Sequence, residues 1–141
     1  MLEYNMANFI YKKAKEGMLN GQIDIDSTNL KVVFIDTSKY SANQNTNQFL
    51  SDIPSNARVH TSLALGNVST TLGVLDADDI AVTYDGLSFQ AIVVYQTGST
   101  DENSRLISFI DTSEGLPFAQ TSESVALSIQ WDNTSTKIIT I

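Results

Sequence analysis

The sequence predicts an all-β fold, an antiparallel β-sandwich of about eight or nine short strands with one N-terminal helix. Three observations carry this. Alternating apolar and polar runs recur through most of the 141 residues, punctuated by Gly, Asn, Asp, Ser and Pro. Only one stretch, near the N-terminus, has helical spacing. Strands do not alternate with helices, so a parallel α/β sheet is not expected.

The centre of the pattern is Leu87 to Asp111. Leu87, Phe89, Ala91, Val93 and Tyr95 share one face of an extended run, and Ile92 and Val94 fill the other, so the strand reads as buried on both sides. Thr97 to Ser104 is turn chemistry. The return run places Ile107 and Phe109 on one face and Leu106 and Ile110 on the other. The whole reads as a hairpin with a long polar tip.

From the N-terminus, residues 1–5 are expected to be a leader and 6–141 a single domain. The helix is expected over 7–19. Ile10, Ala14 and Met18 form an apolar stripe with Phe9 beside it, Asn8 is a possible cap, and Asn20-Gly21 is a stop signal. Ile23 and Ile25 alternate with Asp24 and Asp26, as a short strand would. Leu30 to Asp36 is β-branched and strand-like. Ser38 to Asn47 is a polar surface loop suited to contact. Val59, Leu63 and Leu65 share one face of the next strand. Gly66-Asn67 reads as a hairpin-like turn before Val68 to Leu75. Ile80, Val82 and Tyr84 lead to Asp85-Gly86, the strongest two-residue hairpin signal. Glu114 to Pro117 forms a turn. Val125, Leu127, Ile129 and Trp131 share a late strand face, and after a turn at Asp132 to Thr136, Lys137 to Ile141 closes the chain. FIDTS occurs at Phe34–Ser38 and Phe109–Ser113. Two strands each ending in an Asp-Thr-Ser turn account for it better than two repeated halves.

The net charge of −8 is unevenly placed. Lys12, Lys13 and Lys15 are three of eight basic residues, whereas residues 22–141 carry fourteen acids against five bases, a net of −9. Such a body repels phosphate backbones, so nucleic acid is not an expected partner. No apolar run approaches the roughly 20 residues that span a bilayer, and the first residues lack signal-peptide form, so no membrane role is expected. The absence of cysteine excludes disulfides, thiolate metal sites and cysteine nucleophiles, and fits synthesis in a reducing cytoplasm.

No catalytic site is expected. A Ser-His-Asp arrangement would need His60, the single histidine, which sits in an alternating strand with no nucleophile motif nearby. Zinc lacks ligands. The carboxylates Asp24 with Asp26, and Asp76 with Asp78 and Asp79, are candidates for a calcium site, but the EF-hand order is missing, so neither metal nor cofactor is expected. Trp131 reads as a core residue.

Four segments carry a resemblance: MANFIYKKAKEGMLNGQIDID, LKVVFIDTSKY with FLSDIPSNARV, AIVVYQTGSTDENSRLISFIDTSEGLPF, and SIQWDNTSTKIITI. Together they resemble a family of small virion structural proteins of tailed bacteriophages and prophages. The resemblance covers nearly the whole chain from Met6. It implies a non-enzymatic virion protein made in the host bacterial cytoplasm, foremost a capsid decoration or auxiliary protein. The alternatives are a head-fibre or tail component, or a host-surface glycan-binding module. The major capsid protein is the expected partner. A homo-oligomer, first a trimer, is expected to hold together a fold that lacks cysteine. The expected contacts are Phe9, Ile10, Lys12, Lys13, Lys15 and Met18 on the helix, and Ile138, Ile139 and Ile141 on the last strand.

Overall fold

The computed structural model describes residues 8–25, 29–84, 86–113, 115–120, 123–131 and 138–140. The expected leader, Asp26, Asp85, Glu114, the turn at Asp132 to Thr136 and Ile141 lie outside these residues. The described residues are all-β with a single N-terminal α-helix, as expected. In order come β1 (Asn8–Ile10), α1 (Lys12–Leu19), β2 (Leu30–Ile35), β3 (Arg58–Thr61), β4 (Val74–Leu75), β5 (Ile80–Tyr84), β6 (Ala91–Gln96), β7 (Arg105–Ile110), β8 (Val125–Ile129) and β9 (Ile139–Thr140). An antiparallel five-stranded sheet runs β1-β7-β6-β2-β3, and two-stranded ribbons β4-β9 and β5-β8 accompany it. The arrangement is sandwich-like.

The central hairpin forms as predicted. β6 pairs with β7 on one side and β2 on the other, and Ala91 to Tyr95 are all buried. One detail differs. The β6-β7 register shifts between Val94 and Tyr95, so Leu106 stands opposite Tyr95 while Phe109 stands opposite Val93. Leu106 therefore shares a face with Phe109 and not with Ile110. A β-bulge resets the alternation, and period-two counting carries no sign of it.

The two FIDTS copies end β2 and β7, which flank β6. Phe34 and Ile110 both stand opposite Ile92, whereas Phe109 stands opposite Val93, so the two phenylalanines face opposite sides of the sheet. The segments are two strand ends and not two equivalent halves.

The helix is shorter than the expected 7–19. Asn8 to Ile10 are extended and pair with Ile110 to Ser108, and Tyr11 N–H continues the ladder to Ile107 O at 3.0 Å. This edge of β7 has donors and acceptors to satisfy, and three residues of strand meet that demand where helix would not. Asn8 caps no helix. Its Oδ1 accepts Asp111 N–H and Thr112 N–H, and its amide donates to Thr112 O, which fastens the end of β7. The stop signal holds: Gly21 has φ 80°, and the N–H groups of Gln22 and Ile23 return to Gly17 O.

Four further expectations are corrected. Ile23 is buried, yet Ile23 to Ile25 makes no strand. β3 ends at Thr61, and Leu63, expected beside Val59 and Leu65, is 89% exposed. The hairpin after β3 turns at Thr71–Gly73 and is closed by Ser69 and Asp76, whose N–H groups each reach the other's carbonyl at 2.9 Å, so Gly66-Asn67 is not its turn. The hairpin signal at Asp85-Gly86 has no hairpin to match it among the described residues, Asp85 itself lying outside them. β5 pairs with β8 and not with β6. Tyr84 lies over Gly86, where a Cβ would come within 2.6 Å of its ring, and donates its hydroxyl to Leu87 O at 2.6 Å.

An aromatic cluster joins the sheet to β5. Phe34 and Phe89 stack at 4.4 Å between centroids, Phe89 stacks on Phe118 at 5.1 Å, and Tyr84 stands edge-on to all three. The other sheet face meets α1 and the segment around Tyr40 and Leu50. There Phe9 stacks on Phe109 at 5.1 Å and stands edge-on to Tyr11.

Candidate functional site

Two kinds of surface emerge: ordered polar loops and an apolar cleft. The loop at 38–47 is built by its asparagines. Asn43 Oδ1 accepts Asn45 N–H and Thr46 N–H, while Asn47 Oδ1 accepts Asn43 N–H at 2.8 Å and the Tyr40 hydroxyl at 2.7 Å. The Tyr40 proton is thus committed, so the fully buried Tyr11 hydroxyl donates to Tyr40 Oη at 2.9 Å. Burial pushes the Tyr40 phenol up to about 12 and raises Tyr11 beyond that, burial again being the main cause. The loop is anchored through two phenols to the core.

The tip of the central hairpin is fastened in the same manner. Ser104 Oγ accepts Gly98 N–H and donates to Thr100 O, and Asn103 Oδ1 accepts Thr100 N–H. Asp101 takes an ion pair from Arg58 at 2.8 Å.

The cleft holds about 1150 Å³ and lies between the sheet and β8. Ile92, Ile110, Phe118, Leu127, Ile129 and Trp131 line it, and Ser108 sits in its floor with a buried hydroxyl that finds no partner. Trp131 is held by bonds from its indole N–H to Asp78 O and from its backbone N–H to Asp79 Oδ1, both 3.0 Å. Its predicted core role is borne out.

The cleft also collects residues from both chain ends: Phe9, Ile10, Lys15 and Ile138 line it. Of the other expected contacts, Lys12 is exposed, Lys13 pairs with Glu16 at 3.4 Å, and Met18 is half-buried against the core. Ile139 pairs in β9 with Leu75, and Ile141 lies outside the described residues. Sequence spacing named these residues as helix and strand contacts, but only the β1-β7 pairing and the return of the C-terminus to β4 bring four of them together.

His60 lies half-buried in β3, its ring 5.1 Å from Phe34 and 5.7 Å from Tyr84. Among the described residues no group of three or more His, Cys, Asp or Glu could hold a metal ion. Asp78 accepts the Asn67 amide at 2.7 Å, and Asp24 is exposed on a separate segment. No described helix is long and apolar enough to cross a membrane.

Two residues that spacing did not single out stand apart. Leu72 has φ 56° and is 93% exposed at a hairpin tip. Ser108 is the orphan in the cleft floor. Gly73 after Thr70-Thr71-Leu72 was a turn signal for the first, while nothing in the sequence marked the second. No protein-family model and no curated protein matches the chain.

Proposed function

We propose that the protein is a non-enzymatic structural component of a tailed-bacteriophage virion that decorates or reinforces the capsid, with the major capsid protein as its partner. It is made in the host bacterial cytoplasm and carried on the particle as a homo-oligomer, a trimer in the first instance. The sequence resemblance supports this reading, and the preordered surface is the observation that carries it. A loop already held by Asn43, Asn47 and Tyr40, and a hairpin tip held by Ser104 and Asn103, lose little entropy on docking. Weak contacts repeated by lattice symmetry then add up to firm attachment.

Quantitative mass spectrometry of purified particles tests the proposal. Decoration requires copies in fixed ratio to the major capsid protein, retained on isolated heads. A handful of copies confined to tails would replace it with the head-fibre or tail reading.

A further inference from the structure

We propose that the hairpin tip at Leu72 of one copy seats in the cleft of a second copy, a head-to-tail contact between identical chains. This rests on the assembly reading for its biological setting alone, since the contact is a property of the isolated chain.

Leu72 is poorly placed in a single copy. Its φ and ψ of 56° and 31° lie in the left-handed region, where a Cβ is costly and Gly or Asn is favoured. Nothing in the chain compensates, because the side chain is 93% exposed. Thr71 and Gly73 beside it are exposed too, so the tip projects as an apolar knob on a narrow base closed by Ser69 and Asp76. The same molecule carries the complementary hole, about 1150 Å³ lined by Ile92, Ile110, Leu127 and Ile129.

Charge selects a second copy and its orientation. Lys15 lines the cleft, and the exposed Lys12, one turn before it on the same helix, donates its backbone N–H to the carbonyl of Gln44, another lining residue, whereas Lys13 is turned away and pairs with Glu16. The knob has Asp76 at its base, across from Ser69. Knob into hole brings this acid toward Lys15 and Lys12. A two-fold contact of cleft on cleft would instead set lysine against lysine. Because knob and hole are different surfaces, each copy can give one and receive one. Such a contact closes into a ring when the rotation allows it.

The test is sedimentation equilibrium of the full-length purified chain over a range of concentration and salt. The wild type is expected to self-associate, more weakly as salt rises. Leu72→Asn keeps the left-handed backbone, so its melting temperature should hold or rise while association weakens at least tenfold. The pair Lys12→Glu with Lys15→Glu should also weaken association and abolish its salt dependence, with melting unchanged. A wild type that stays monomeric, Leu72→Asn associating like the wild type, or lysine substitutions that strengthen association would each overturn the contact. Binding of the wild type to heads stripped of this protein is measured separately. If self-association holds and head binding fails, the virion reading falls and the contact stands.

Discussion

At the residue scale, the direction of one proton decides the strength of a core bond. Tyr40 donates to Asn47, so Tyr11 must donate to Tyr40. Tyr11→Phe removes one bond and leaves Tyr40 still donating, so it should cost about 1 kcal/mol. Tyr40→Phe leaves the Tyr11 hydroxyl buried without an acceptor and removes a bond to Asn47, so it should cost about 2 kcal/mol. Urea denaturation of both variants checks the order, and equal losses would contradict the proton assignment. Ser108 is the opposite case. Its buried hydroxyl has no partner, so Ser108→Ala removes a desolvation cost without losing a bond. A gain of about 1 kcal/mol is expected in the same assay.

At the element scale, α1 is held close to its neighbour by a residue chosen against helix propensity. A Cβ on Gly17 would meet Ile23 Cδ1 at 2.8 Å and Cγ1 at 2.9 Å. Alanine gains about 1 kcal/mol in a helix interior. Overpacking against the buried Ile23 costs about 1 to 3 kcal/mol, and the clash should win. Gly17→Ala is expected to destabilise by about 1 kcal/mol net and, in an Ile23→Ala background, to stabilise instead. Thermal melts of the four chains in that cycle supply the sign. Additive behaviour would show that the helix shifts freely.

At the scale of the whole molecule, the N-terminal elements belong to the sheet. Deleting residues 8–19 removes β1, Tyr11 and Ala14 and bares the edge of β7. The remaining chain should show no cooperative unfolding transition by circular dichroism, whereas exposed changes at Lys12 and Lys15 should leave melting intact. Alkaline pH acts on the whole fold as well. Burial raises Tyr40 to about 12, and Tyr11 and Tyr95 are raised in the same direction, above an ordinary value of about 10. The neutral phenols thus support the fold fully below about pH 10. Between about 10 and 12 the unfolded chain loses its tyrosine protons first, and stability falls. Tyrosinate absorbance recorded with unfolding checks this, and stability that stays level past pH 11, by about 1 unit above the ordinary value, would contradict the burial of these phenols.

The sequence by itself determined the class of fold, the central hairpin and its two-sided burial, the apolar face from Val125 to Trp131, and the stop at Asn20-Gly21. Each depends on neighbours in the chain: alternation, β-branching, or a glycine that admits positive φ. Tertiary structure decided everything that depends on a distant partner. The apolar stripe through Phe9 and Ile10 satisfies helix and strand spacing alike, and the open edge of β7 selected strand. Asp85-Gly86 offers a good local turn, but β5 finds its partner in β8, some forty residues away, and not in β6. The bulge in β7 reversed the facing of Leu106, which alternation cannot register. The cleft arose in the same way. Phe9 and Ile138 lie at opposite ends of the chain and line one cavity, because hydrogen-bond demand at two strand edges drew both termini in.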